Sequence, residues 1–169
     1  MTGLDVNKEV IIECAAIVTD LDFNTLETYE TVVKQDQKYL DAMDDWNTRH
    51  HGASGLTEKV PHGKVDAEVE KDLLMLIGRH WSNEADRPIL AGNSIGQDRL
   101  FISKYWKNLD QKLHYRMLDV SAYKIIFNQK YNLKYSKQEK HRALLDISES
   151  IEELKFYLSH FKGPSVSHT

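Results

Sequence analysis

An isoleucine- and valine-rich run from Glu9 to Thr19, closed by turn chemistry at Asp20 to Asn24 and followed by an extended stretch around Leu26 to Lys34, constrains this chain most. β-branched runs bounded by Asp and Asn predict strands, so the segment predicts an antiparallel hairpin. Beyond Lys34 the apolar period becomes helical. Tyr39, Leu40, Met43 and Trp46 recur at helical spacing, and a longer helix is predicted from about Val65 to Trp81 through Val69, Leu73, Leu76 and Ile77. Pro61-His62-Gly63 separates the two. Pro88 to Ala91 predicts a short buried strand, leading through Gly92-Asn93-Ser94-Ile95-Gly96 into a helix with Leu100, Phe101, Tyr105 and Trp106. A strand at Tyr115 to Val120 comes next, with Ser121 as the N-cap of another helix. The last helix is predicted over about Arg142 to Phe161, with Ile147, Ile151, Leu154 and Leu158 on one face and Gly163-Pro164 at its end. A hairpin followed by alternating helices and strands predicts an α/β domain with a mixed sheet, whose ligands gather beyond the carboxyl ends of the strands. Asp98 and Asp119 stand near such ends.

The 169 residues, 41% of them apolar, suit one domain around one core, here expected over residues 1–162 with a disordered tail at 163–169. Apolar runs such as Leu73 to Ile77 are too short to cross a bilayer, and no membrane association is expected. Cys14 is the sole cysteine, which excludes an internal disulfide and predicts a core thiol. A formal net charge of −4 disfavours a grip on long nucleic acid by counterion release. It leaves room for a short nucleic acid held in a pocket by a few groups and metal ions.

Several residues carry candidate chemistry, each beside a plainer alternative. Asp98 follows a glycine-bearing turn and suits either a hard cation or the N-terminus of a helix. The glycines around it match neither the P-loop nor the dinucleotide fingerprint. His141 and Asp146 lie five residues apart and converge only if His141 sits in the loop before the helix. There the imidazole would take a proton from a metal-bound water while the carboxylate held the metal; the alternative is a solvated pair. His50 and His51 point about 100° apart on a helix, so helix-end or substrate contacts suit them better than shared ligation. Trp46 is expected to face the core by its spacing, with base stacking as the alternative. Tyr115 and Arg116 suit a phosphate contact or an ordinary strand start. Glu149, Glu152, Glu153 and Lys155 are expected to form a solvated helix face.

Taken together, Met1 to Asp5, Asp45-Trp46-Asn47, Ser54-Gly55-Leu56, Gly92 to Asp98, His114-Tyr115-Arg116, Leu118 to Ser121 and His141 to Asp146 occur in an order and spacing that resembles the oligoribonucleases. These are homodimeric 3′-to-5′ exoribonucleases with four acidic residues and a histidine on a ribonuclease H-like fold, and the likeness runs over about residues 1–162. It implies hydrolysis of short RNA, down to dinucleotides, to 5′-mononucleotides with two divalent cations, Mg²⁺ or Mn²⁺. Asp98 and Asp146 would be metal-associated carboxylates and His141 the general base. Leu4 and Trp46 would flank the substrate bases, with Ser94 and His51 as further contacts. Tyr115, placed with the catalytic group, would reach across the dimer with Arg116 and Ser121 toward a terminal phosphate.

The likeness has one departure. Family members carry an Asp-x-Glu pair just before the Met-Thr-Gly-Leu-Asp segment, on the first and central strand of a sheet ordered 3-2-1-4-5, and this sequence starts at that methionine. Asp5, Glu9 and Glu13 have their own places in the matching segment and do not replace the pair. The expectation is a ribonuclease H-like mixed sheet lacking its central strand, with weak metal binding, impaired or no activity and low stability. Two rivals remain: a noncatalytic relative that binds short RNA or dimerises, and a phosphatase acting on small nucleotides. The expected compartment is the cytoplasm, or the mitochondrion if an upstream targeting segment exists.

Overall fold

The computed structural model describes residues 1–83, 85–136 and 142–161. The hairpin forms where the β-branched run predicts it, with β1 (Glu13–Thr19) antiparallel to β2 (Thr25–Val32). Asp20 closes its turn: Oδ1 accepts the N–H groups of Asp22 and Asn24 at 2.9 Å each, and Oδ2 accepts from Asn24 Nδ2 at 2.8 Å. This side-chain closure holds Phe23 in the left-handed region, at φ 62°. β1 begins later than predicted because Val10 is engaged elsewhere. Its N–H donates to Thr2 Oγ1 at 3.0 Å and its carbonyl accepts the Thr2 N–H at 2.9 Å.

The helical stretch around Tyr39 to Trp46 divides in two, α1 (Gln37–Asp41) and α2 (Asp45–Ala53). Asp44 starts the second by accepting the Asn47 N–H at 2.8 Å. α3 (Leu56–Lys59) follows Gly55, whose φ of 67° suits a residue without a Cβ. α4 (Asp66–His80) matches its prediction and buries Val69, Leu73 and Leu76. β3 (Leu90–Gly92) leads into α5 (Ile95–Tyr105), and α6 (Lys107–Lys112), which the sequence pattern does not single out, precedes β4 (Met117–Asp119). α7 (Val120–Tyr131) is capped by Asp119 rather than Ser121: the Asp119 carboxylate accepts the Ser121 N–H at 2.9 Å. α8 (Ala143–Ser159) completes the described elements, while the expected stop at Gly163-Pro164 and the tail at 163–169 lie outside the described residues.

The architecture is α/β with helices around small sheets, as expected of the ribonuclease H-like fold. Among the described residues the antiparallel β1–β2 pair and a parallel β3–β4 pair form separate sheets. α8 joins them by packing on both β1 and β3. The alternation of the first apolar run serves two cores at once: Ile11 faces a cluster with Val69, Leu73, Phe101 and Trp106, whereas Val10 and Ile12 face one with Leu40, Leu56 and Val60. No described helix is long and apolar enough to cross a membrane.

The charged face expected on the last helix is not wholly solvated. α8 buries Ser150, Glu153, Leu154 and Tyr157, and Glu153 is 0% exposed. Its position, three residues after Ser150 and four before Tyr157, turns it inward toward the end of β3.

Candidate active site

The first residues of the chain are tethered from two sides. His51, on α2, bonds through Nε2 to the Met1 carbonyl at 3.0 Å, and Gln97, on α5, donates to the Leu4 carbonyl. These bonds hold the main chain and leave the Leu4 side chain 74% exposed. Trp46 departs from its core-facing expectation and is 58% exposed, because α2 buries no residue and its indole instead stacks on His50 at 3.9 Å between ring centroids. The two adjacent histidines thus diverge, one supporting an aromatic platform and the other the amino-terminal backbone. Burial above all lowers the His51 pKa from its ordinary value, helped by the positive Met1 amino group.

Asp98 sits in the first turn of α5, one residue beyond Gln97, and faces the Met1 amino group closely enough for their charges to interact. Burial raises its carboxyl pKa, opposed by its own backbone N–H and the Met1 charge. Cys14 packs against the main core, as expected of its position, and burial together with the nearby Asp98 and Glu13 charges pushes its thiol up to about 12.

Asp146 lies in the first turn of α8 and is exposed, its N–H donating to the Arg142 carbonyl at 2.9 Å. That turn is anchored from β1: the Glu13 carboxylate accepts Arg142 Nε at 2.9 Å and the Ala143 N–H at 3.0 Å. His141, the candidate base, lies outside the described residues. Asp5, Glu9 and Glu13 have local partners, respectively the Asn7 N–H, the Thr2 hydroxyl and the α8 N-terminus.

A second constellation forms where β3 and β4 end. Ser94 adopts a left-handed backbone at φ 52°, and its N–H donates to Asp119 Oδ1 at 3.0 Å and Ser121 Oγ at 2.9 Å. Asn93 bridges Ser121 on α7 to Ser150 and Glu153 on α8. The sequence pattern assigns no role to Asn93, Gln97 or Ser150 and puts Glu153 on a solvated face. The signal it does hold is the burial register of α8, obscured by four charged residues between positions 149 and 155. Tyr115 and Arg116 stand apart in the segment before β4, with Tyr115 73% exposed, stacked on His114 and covered by the Arg116 guanidinium at 5.0 Å. The structure therefore gathers Leu4, His51 and Asp98 around the first residues and links Ser94 to Ser121, while Tyr115 and Arg116 form a separate exposed stack.

Among the described residues no group of three or more His, Cys, Asp or Glu is placed to hold a metal ion. Mg²⁺ is commonly held by one or two carboxylates, its shell completed by water and substrate phosphate. Asp98 and Asp146 have the donor chemistry that such an ion takes, but the described donors do not make a protein cage for two.

The exonuclease family model matches residues 1–154. An oligoribonuclease from Pseudomonas syringae pv. syringae is 46% identical over 167 residues, covering 97% of this chain and 93% of the relative. The Coxiella burnetii oligoribonuclease is 44% identical over 95% of this chain and 89% of its own length. That of Corynebacterium glutamicum is 45% identical over 95% of this chain and 76% of its own length. Exonucleases of this family depend in general on divalent metal ions. By both the family model and the near-complete coverage by these relatives, the chain belongs to the oligoribonucleases, a family of 3′-to-5′ exoribonucleases.

Proposed function

We propose that this enzyme removes 5′-mononucleotides from the 3′ end of very short RNA, down to dinucleotides, using Mg²⁺ or Mn²⁺. The observation that carries the reading is the exposure of Leu4 and Trp46 on segments tied together by the His51 bond to the Met1 carbonyl. Exposed apolar and aromatic groups on tethered backbone suit a nucleobase, since every base offers a face to stack. The net charge of −4 agrees with a ligand short enough to need few phosphate contacts.

In this reading Asp98 and Asp146 would hold the two divalent ions together with water and substrate phosphate, and His141 would be the general base. When bound, such ions would supply Lewis-acid chemistry toward the scissile phosphodiester. His51 and Ser94 contact the substrate from one subunit. Tyr115, with Arg116 and Ser121, reaches the neighbouring site of a homodimer, where a phenol and a guanidinium suit a terminal phosphate.

The test is incubation of the chain with a 5′-phosphorylated diribonucleotide and Mn²⁺. Release of 5′-mononucleotide that disappears on chelation and in Asp98→Asn supports the reading. Tight binding without release favours a noncatalytic short-RNA binder, and inorganic phosphate released from a mononucleotide favours a phosphatase.

A further inference from the structure

α5 faces two ways around Asp98. Gln97 and Arg99 flank that residue and stand about 200° apart around the helix, so they meet opposite neighbours. Gln97 donates to the Leu4 carbonyl, and further along the helix Lys104 donates to the Val6 carbonyl and Tyr105 to that of Glu9. Arg99 turns instead to the segment between α6 and β4. Its Nη1 donates to the His114 carbonyl at 3.0 Å and its Nη2 to the Asp110 carbonyl at 3.1 Å, while Nε pairs with the Asp110 carboxylate. The Arg99 side chain is 19% exposed, so little water competes for these contacts.

The His114 carbonyl belongs to the peptide that leads directly into Tyr115. The His114 N–H donates to the Pro88 carbonyl at 2.9 Å, and its Nδ1 accepts the Arg116 N–H at 3.0 Å. Tyr115 lies against the His114 ring, 4.6 Å between centroids, with the Arg116 guanidinium over its own ring. The stack is therefore carried on the His114 main chain, and the largely exposed Tyr115 takes its direction from where that main chain is held. Arg99 holds it with a rigid planar fork that meets two carbonyls and a carboxylate at once, which the compact ammonium of a lysine does not reproduce.

We propose that Arg99 is a positioning residue that acts in trans: on the side of α5 away from Gln97 it sets the direction of the Tyr115–Arg116 stack, and so serves the partner subunit's site while its neighbour Asp98 serves its own. This rests on the proposed reach of Tyr115 and Arg116 into the neighbouring site.

The test is the dissociation constant of a nonhydrolysable diribonucleotide analogue in Mg²⁺, measured on homodimers and on mixed dimers isolated through two different tags. Arg99→Lys, which keeps the charge beside Asp110 and loses the fork, should weaken binding about tenfold, and adding it to Tyr115→Ala should weaken binding no further. Trp46→Ala marks the site of its own subunit. A mixed dimer with Arg99→Lys on one subunit and Trp46→Ala on the other should keep one site of parental affinity, because the stack entering that site comes from the subunit with an intact Arg99. With both substitutions on one subunit and a parental partner, no site of parental affinity should remain. A fold loosened within its own subunit would give the reverse pattern. If Arg99→Lys does not fold, Asp110→Asn, which releases the guanidinium from its ion pair, takes its place with the same expected pattern. The reverse pattern, additive losses with Tyr115→Ala, or parental affinity in Arg99→Lys would overturn the inference and leave the role of Tyr115 intact. A Tyr115→Ala variant that binds like the parent, or a chain that forms no dimer, would overturn both.

Discussion

Glu13 on β1 grips Arg142 at the head of α8, accepting its Nε at 2.9 Å while also accepting the Ala143 N–H at 3.0 Å. One carboxylate, 7% exposed, thus pairs with a guanidinium and serves as a helix cap supplied from another element, since Arg142 itself provides no side-chain cap. Because α8 joins the two sheets, the grip matters beyond one turn. Among the described residues Glu13→Ala leaves the Arg142 guanidinium its Glu30 contact and opens the helix end, and should destabilise the fold by about 1–3 kcal/mol. Urea unfolding midpoints would measure this, and a variant as stable as the parent would show that the grip is incidental.

Trp46 is exposed and contributes nothing to either core cluster, so its removal separates binding from folding. Trp46→Ala should weaken diribonucleotide binding by about 1–3 kcal/mol, the usual range for a stacked base, with an unchanged unfolding midpoint. Isothermal titration would check it. Equal affinities for parent and variant would remove the indole from the proposed base site.

Cys14 bears a thiol raised to about 12 by burial and by the Asp98 and Glu13 charges. Thiolate, rather than thiol, reacts with alkylating reagents, so the folded protein should react with iodoacetamide at pH 8 roughly a thousandfold more slowly than an open cysteine. Unfolding in guanidinium should restore the ordinary rate. Rapid alkylation of the native protein would contradict the burial.

The hairpin, α4 and α8 are legible in the sequence because each is long and strongly periodic. Periodicity misplaces elements where a single polar group decides. Asp44 breaks a continuous helical period into α1 and α2, and Asp119 takes the cap expected of Ser121. Of the site, Leu4, Ser94 and Asp98 are visible through their register in a resemblance rather than through local chemistry. Spacing alone points Trp46 at the core because period does not reveal that α2 has no core to face, whereas the resemblance puts it on the exposed side. Glu153 is hidden for the opposite reason: a glutamate among charged neighbours gives no local sign that Asn93, 60 residues away in sequence, will meet it inside the protein. Buried polar contacts between distant elements depend on the tertiary arrangement, and local periodicity carries no record of them.

His51 supplies a prediction with a sign. Burial lowers its pKa from the ordinary 6.5, so between the folded value and 6.5 the unfolded chain binds more proton than the folded one. Stability should therefore rise with pH through that interval, level off above about 6.5, and be lost as the solution is acidified below it. His51→Gln keeps an N–H donor for the Met1 carbonyl without a titrating ring. The variant should show a shallower fall in urea midpoint between pH 7.5 and pH 5 than the parent, although carboxylates elsewhere contribute a common slope to both. Parallel pH profiles would mean that the imidazole is as easily protonated inside the fold as outside it, and that its bond to the amino-terminal segment does not depend on the neutral ring.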